Sequence, residues 1–322
     1  MTHATLPVLS AAVLAATFAA AGTARAEGVL LRDAVARVQV IPEARGDVSI
    51  TVTPGRKPLP TVRIFREGDR TVVDGGLAHR IRGCGWNGFS LGGMVFHHRE
   101  EGGDRGGDRG GHERANVAGI GGVGPQDMPL ITIRMPLDAH VAADGAVFGH
   151  VGTTRSLDLA VAGCGDWSVE DVSGPLDVRV SGSGDVAGGR AGTLRAALSG
   201  SGDLKLARVE GEAEIATSGS SDVHIATAGP LSIRVGGSSD IRVGEVNGPI
   251  RTEIGGSGDV TIDRGRAPEV RVAVAGSGDF RFHGSAGSVS ASVAGSGDIL
   301  IDHASGPVSQ SKAGSGDIHI GR

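Results

Sequence analysis

Four residues, Gly-Ser-Gly-Asp, recur at 182–185, 200–203, 256–259, 276–279, 295–298 and 314–317. Gly-Ser-Ser-Asp stands at 219–222 and 237–240, and Gly-Cys-Gly-Asp at 163–166. Their aspartates are Asp166, Asp185, Asp203, Asp222, Asp240, Asp259, Asp279, Asp298 and Asp317, spaced 18 to 20 residues apart. A fixed period of this size confines a chain to a repeat architecture. The residues on either side of the aspartate decide which one.

Nine, seven and five residues before the aspartate stand Leu157, Leu159 and Val161, then Leu176, Val178 and Val180, then Leu194, Ala196 and Leu198. One and three residues after it come Leu204 and Leu206, Val223 and Ile225, Ile241 and Val243, Phe280 and Phe282. Both runs alternate apolar with polar, as strands with one buried face do. A Gly-rich corner separates them, and a looser return such as "VSGP" or "TAGP" leads to the next copy. The expected fold is all-β: a single-stranded, right-handed β-helix, or β-solenoid, of about 19 residues per coil. One coil cannot bury its apolar face alone, whereas stacked coils make a continuous core. Nine coils at a strand spacing of about 4.8 Å give a rod on the order of 40 Å long. In the last coil Gln310 and Lys312 occupy positions that are mostly apolar elsewhere, which marks them as a polar C-terminal cap.

Upstream the register loosens. Residues 1–26 read as a secretory signal, with an apolar run from Val8 to Ala21 and a small-x-small site at Ala24-Arg25-Ala26. Residues 27–96 alternate less regularly and are expected to form an irregular β region or cap. Residues 97–124, Gly-rich and charged, read as a flexible loop, and the solenoid is expected over 125–322. The protein should be exported and periplasmic, secreted or associated with the cell surface. A net charge of −5 argues against nucleic-acid binding, and the short apolar run at the start argues against membrane insertion. Cys84 and Cys164 are the two cysteines. In an oxidising compartment an even pair usually closes, so a disulfide between them is expected; two buried free thiols are the alternative.

The repeated corner has three candidate uses. As structure, glycine supplies positive φ or close backbone approach, while Ser and Asp satisfy neighbouring amides. As a calcium site, successive aspartates would share a cation, although one carboxylate per coil is few for a metal that takes six to eight oxygens. Catalysis fits worst, because an active site is one constellation and this pattern repeats nine times. "SGSGD" lacks the first glycine of a nucleophile elbow, though His224, His303 and His319 can be imagined as partners. His97, His98 and His112 match no defined metal spacing. Aromatics make up 3% of the chain with no tyrosine, leaving Trp86 and Trp167 as the only large platforms for sugar rings. The expected reading is structural and non-enzymatic, with no cofactor and no metal.

"ITIRMPLDAHVAADG", "LDLAVAGCGDWSV" and the coils that follow resemble the putative auto-transporter adhesin head GIN domain family over residues 125 to 322. The resemblance implies a β-helical fold, export, and adhesion to an envelope or surface ligand, protein or polysaccharide. It implies no catalytic residues. The chain departs from the family's name in that "GSGDIHIGR" is a solenoid coil with no membrane β-barrel after it, so self-translocation is not expected. A polysaccharide-acting enzyme on the same scaffold and a calcium-stabilised rod remain the other readings.

Overall fold

The computed structural model describes residues 28–85, 89–91, 94–96 and 114–322. The signal segment, Trp86, His97, His98, His112 and most of the Gly-rich loop lie outside the described residues. The rest is a β-solenoid of about ten turns, with coils of about 19 residues. Its strands pair in parallel with the same segment one coil away, so each residue stacks on its counterpart. One such column runs Leu157, Leu176, Leu194, Ala213, Leu231, Ile250, Val270 and Val289. The sheet beyond the corner stacks Trp167, Val186, Leu204, Val223, Ile241, Val260, Phe280 and Ile299 in the same way.

These columns are the core. Every residue just named is at most 3% exposed. Trp167, the largest buried side chain, is accommodated by Gly149 in the coil before it, where a Cβ would come within 2.3 Å of the indole ring. Hydroxyls also enter the columns before the corner, where Thr217 and Thr252 are 4% and 1% exposed.

The solenoid begins earlier than the regular repeats. Strand Gly28–Glu43 stacks in parallel on Asp138–Val151 and on Leu130–Pro136. Two antiparallel strands then close that end of the rod, Ser49–Thr53 against Leu130–Pro136 and Arg63–Glu67 against Arg70–Asp74. A satellite lobe packs on the outer wall of the first coils. It holds a small sheet of Ile81–Gly85, Arg114–Val117 and Gly121–Val123. Leu77, Ala115, Val117, Val123 and Met128 meet Val35, Ala146 and Phe148 in a second apolar cluster. The expected disulfide between Cys84 and Cys164 is formed, with Cα atoms 5.7 Å apart. It ties this lobe to the first GSGD-like corner.

Candidate functional site: the aspartate ladder and the adjoining groove

The corner is held together between coils rather than within them. The amide of its second residue donates to the carbonyl of the first glycine one coil earlier: Ser201 to Gly182, Ser257 to Gly237, Ser296 to Gly276, each at 3.0 Å. That approach leaves no room for a side chain. A Cβ on Gly182, Gly200, Gly256 or Gly276 would lie 1.9 Å from the glycine oxygen of the preceding coil. Positive φ plays a smaller part than the sequence suggests, since among the corner glycines only Gly165 and Gly314 adopt it. In the two Gly-Ser-Ser-Asp coils Ser221 and Ser239 replace the second glycine and are fully buried. They are adjacent, and their hydroxyls lie 3.4 Å apart while Ser239 donates to the Gly219 carbonyl. Two serines in succession satisfy each other.

The aspartates form a ladder. The Oδ1 of Asp166 accepts the amide of Asp185, that of Asp185 the amide of Asp203, and that of Asp203 the amide of Asp222. The same bond links Asp240 to Asp259, Asp259 to Asp279, Asp279 to Asp298 and Asp298 to Asp317, at 2.7 to 2.9 Å. Each of these seven carboxylates therefore compensates a backbone donor of the next coil, a charge-assisted arrangement stronger than a neutral hydrogen bond. At Asp317 the acceptor is taken by Lys312, whose Nζ lies 2.6 Å from Oδ1. That bond holds the Asp317 carboxyl below the ordinary carboxylate range.

A row of mostly cationic side chains flanks the ladder. Lys205, His224, Arg242, Thr261 and Arg281 stack two residues past each aspartate. Arg281 bridges Asp259 and Asp279. Burial, with Arg242 and Lys205 nearby, pushes the pKa of His224 down. Between the two rows lies a hollow of about 380 Å³ bounded by Asp203, Asp222, Asp240 and Asp259. Among the described residues no three His, Cys, Asp or Glu side chains converge as metal ligands do. The other two histidines stand apart from His224, His303 stacking beside Ser285 and His319 beside Leu300.

One contact escaped sequence reasoning. His150 Nδ1 lies 2.8 Å from Ser168 Oγ, and His150 Nε2 lies 3.5 Å from Glu170. The order of residues resembles a nucleophile, base and acid. Ser168, however, is only 4% exposed, and its hydroxyl also reaches the Gly149 carbonyl at 3.3 Å. A substrate carbonyl has no approach to an oxygen so placed. The partners sit 18 residues apart, one coil, and that spacing is the signal by which they were findable.

On the other side of the corner the outward positions form a groove of about 900 Å³. It crosses seven successive coils, from Ala160 to Ala275, or roughly 30 Å at the strand spacing. Ala160, Ala197, Ala216 and Ala273 make one row of its floor, and Ala162, Ser181, Ser199, Ser218, Gly236 and Gly255 the other. Arg179, Arg234 and Glu253 rise from it, with Arg179 bonded to Asp158 and Arg234 to Glu214. Exposed strand positions usually carry Thr or longer chains, since alanine and glycine pack a pleated surface poorly. Here small residues at two adjacent rows leave the sheet backbone accessible from outside.

Fold and surface thus define an all-β repeat rod with a regular corner ladder and an open lateral groove. The chain belongs to the family described as "Putative auto-transporter adhesin, head GIN domain", whose model matches residues 130–249 and 245–321. Among solved structures it is similar to a protein from Bacteroides fragilis described as a putative adhesin, at 15% identity and a TM-score of 0.30, over 92% of each chain. No curated protein matches the chain. No helix among the described residues is long and apolar enough to cross a membrane.

Proposed function

We propose that this protein is an exported, non-enzymatic binding module of the cell envelope or cell surface, and that its ligand lies along the groove between Ala160 and Ala275. The observation that carries this reading is the groove itself, an extended surface of small side chains held on a continuous hydrogen-bonded scaffold. Repeat rods present such surfaces to long partners, because each coil adds one equivalent contact. Family membership supports a surface role. The aspartate ladder is assigned to structure, since seven of its nine carboxylates accept a backbone amide of the next coil. The mature protein is expected to reach the periplasm or the outer surface, where the disulfide is maintained.

The test is retention of the folded protein on isolated envelope from its own source. Ala197→Glu and Ala216→Arg fill the groove floor with charge without touching the core. Both should abolish retention while melting temperature and far-UV circular dichroism stay unchanged. Retention equal to that of the unmodified protein would remove the groove from the binding surface. Release of reducing ends from envelope polysaccharide would replace the binding module by an enzyme.

A further inference from the structure

The first coils hold a further hollow, and its origin differs from that of the corner. Arg70, Gly28 and His140 stack in one outward column of the parallel sheet, and Asp158 follows His140. A Cβ on Gly28 would lie 3.5 Å from the His140 side chain and 3.6 Å from that of Arg70, which are ordinary contact distances. Gly28 is not among the glycines of positive φ. Neither crowding nor backbone conformation therefore asks for glycine here, in contrast to the corner. Glycine weakens a strand and often marks a place where a ligand comes close. The missing side chain opens a hollow of about 260 Å³ between Arg70 and His140.

Its walls carry both signs of charge. Arg179 donates to Asp158 at 2.6 Å, and His140 Nδ1 lies 3.7 Å from the other oxygen of the same carboxylate. Arg70 and Asp69 line the far side of Gly28. Neither of these two side chains has a hydrogen bond or ion pair among the described residues. Arg179, Arg190, Arg195 and Arg234, by contrast, each hold a carboxylate. The floor is made of small residues, Gly28, Ala142 and Ala160. Ala160 and Arg179 also line the lateral groove, so the hollow lies where the groove ends towards the first coils.

We propose that this hollow binds one hexuronate residue of an acidic polysaccharide whose chain continues along the groove; the continuation rests on the binding reading above, while the hollow itself does not. Sites for drug-sized ligands run to roughly 300–1,000 Å³, so this one has room for a single residue of a polymer. A planar carboxylate takes the fork of Arg70. Asp69 and Asp158 accept from the ring hydroxyls beside it. Phosphate brings a larger negative charge and sets it against both aspartates. A peptide terminus has the carboxylate but not the neighbouring hydroxyls. Among the described residues lining the hollow there is no Phe or Trp, so recognition falls to the charged groups rather than to ring stacking.

Trigalacturonate is the probe, titrated into the folded protein by calorimetry. It should bind, and trigalactose, the neutral chain of the same length, should bind about tenfold or more weakly. Arg70→Gln removes the partner of the carboxylate, and Gly28→Val fills the hollow. Each should weaken trigalacturonate by about tenfold or more, with the melting temperature unchanged. The Arg70 side chain is exposed, so that variant reports on the site even if the substitution at 28 disturbs its strand. Arg208→Gln removes the same charge from strand Leu204–Val209, outside the hollow, and should leave binding as it is. No binding at millimolar trigalacturonate, equal binding of the two sugars, or an Arg70→Gln chain that binds as the unmodified one does would overturn the proposal. So would trialanine, with its free carboxylate, or inorganic phosphate binding more tightly than trigalacturonate. The two readings fail separately. Envelope retention lost in the groove variants together with failure here would keep the groove and remove the sugar acid; unchanged retention together with the expected calorimetry would do the reverse.

Discussion

Five of the nine corner aspartates, Asp185, Asp203, Asp259, Asp279 and Asp298, make three bonds each between coils. Asp259, for example, gives its amide to Asp240, accepts the Ile241 amide at its carbonyl, and offers Oδ1 to the amide of Asp279. Stacked carboxylates about 5 Å apart repel by roughly 1 kcal/mol in water. A charge-assisted bond to a backbone amide contributes about 1.5–3 kcal/mol, so the amide outweighs the repulsion wherever it is made. Asp259→Ala removes the acceptor for Asp279 and one partner of Arg281. It should lower stability by on the order of 1–2 kcal/mol. Asp259→Asn retains an acceptor oxygen and relieves the like-charge contact, and should lose less than half as much. Denaturant unfolding separates the two, and added chelator should leave both curves where they are. A chelator-dependent midpoint in the unmodified protein would mean that cations, rather than amides, hold the column.

The strand–corner–strand unit was legible because its physical demands repeat. Alternation marks each inward column, and the first glycine of every corner meets the carbonyl of the coil before it. Gly276→Ala forces a Cβ to 1.9 Å from the Gly256 oxygen, and overpacking of that kind costs about 1–3 kcal/mol or more. Gly255→Ala is the matched control, with its nearest atom at 3.7 Å and alanine at the equivalent 275 and 294. The first variant should unfold at clearly lower denaturant and the second near the unmodified midpoint; equal midpoints would refute the close-approach account of the motif. The satellite lobe was not legible from its own short, Gly-interrupted strands. Its docking surface did leave a trace: Ala34-Val35-Ala36 and Ala146-Val147-Phe148 break the alternation with three apolar residues in a row. All six are buried because both faces of those strands are covered. The groove left a fainter one. Small outward residues look like ordinary alanine and serine until the register stacks them into rows.

At the scale of the whole rod the two ends differ, and the difference sets how far association can go. At one end the antiparallel strands Ser49–Thr53 and Arg63–Glu67 are added to the parallel coils. The other end shows Val308–Lys312 and Ile318–Ile320 with no strand stacked beyond them among the described residues. There the column under Ala291 and Val293 continues as Gln310 and Lys312, both exposed. Another coil laid over them would bury an ammonium, at a cost of several kcal/mol if unpaired, and would draw Lys312 from Asp317. We propose that these two residues cap the rod. The protein should therefore not polymerise through this end. Replacing Gln310 and Lys312 together with Val continues the apolar columns to the last coil and removes that obstacle. The double variant should therefore associate through this end, with a mass that rises with concentration in light scattering. Chains formed by the unmodified protein, or a double variant no larger than the unmodified one, would show that these two side chains are not what limits assembly.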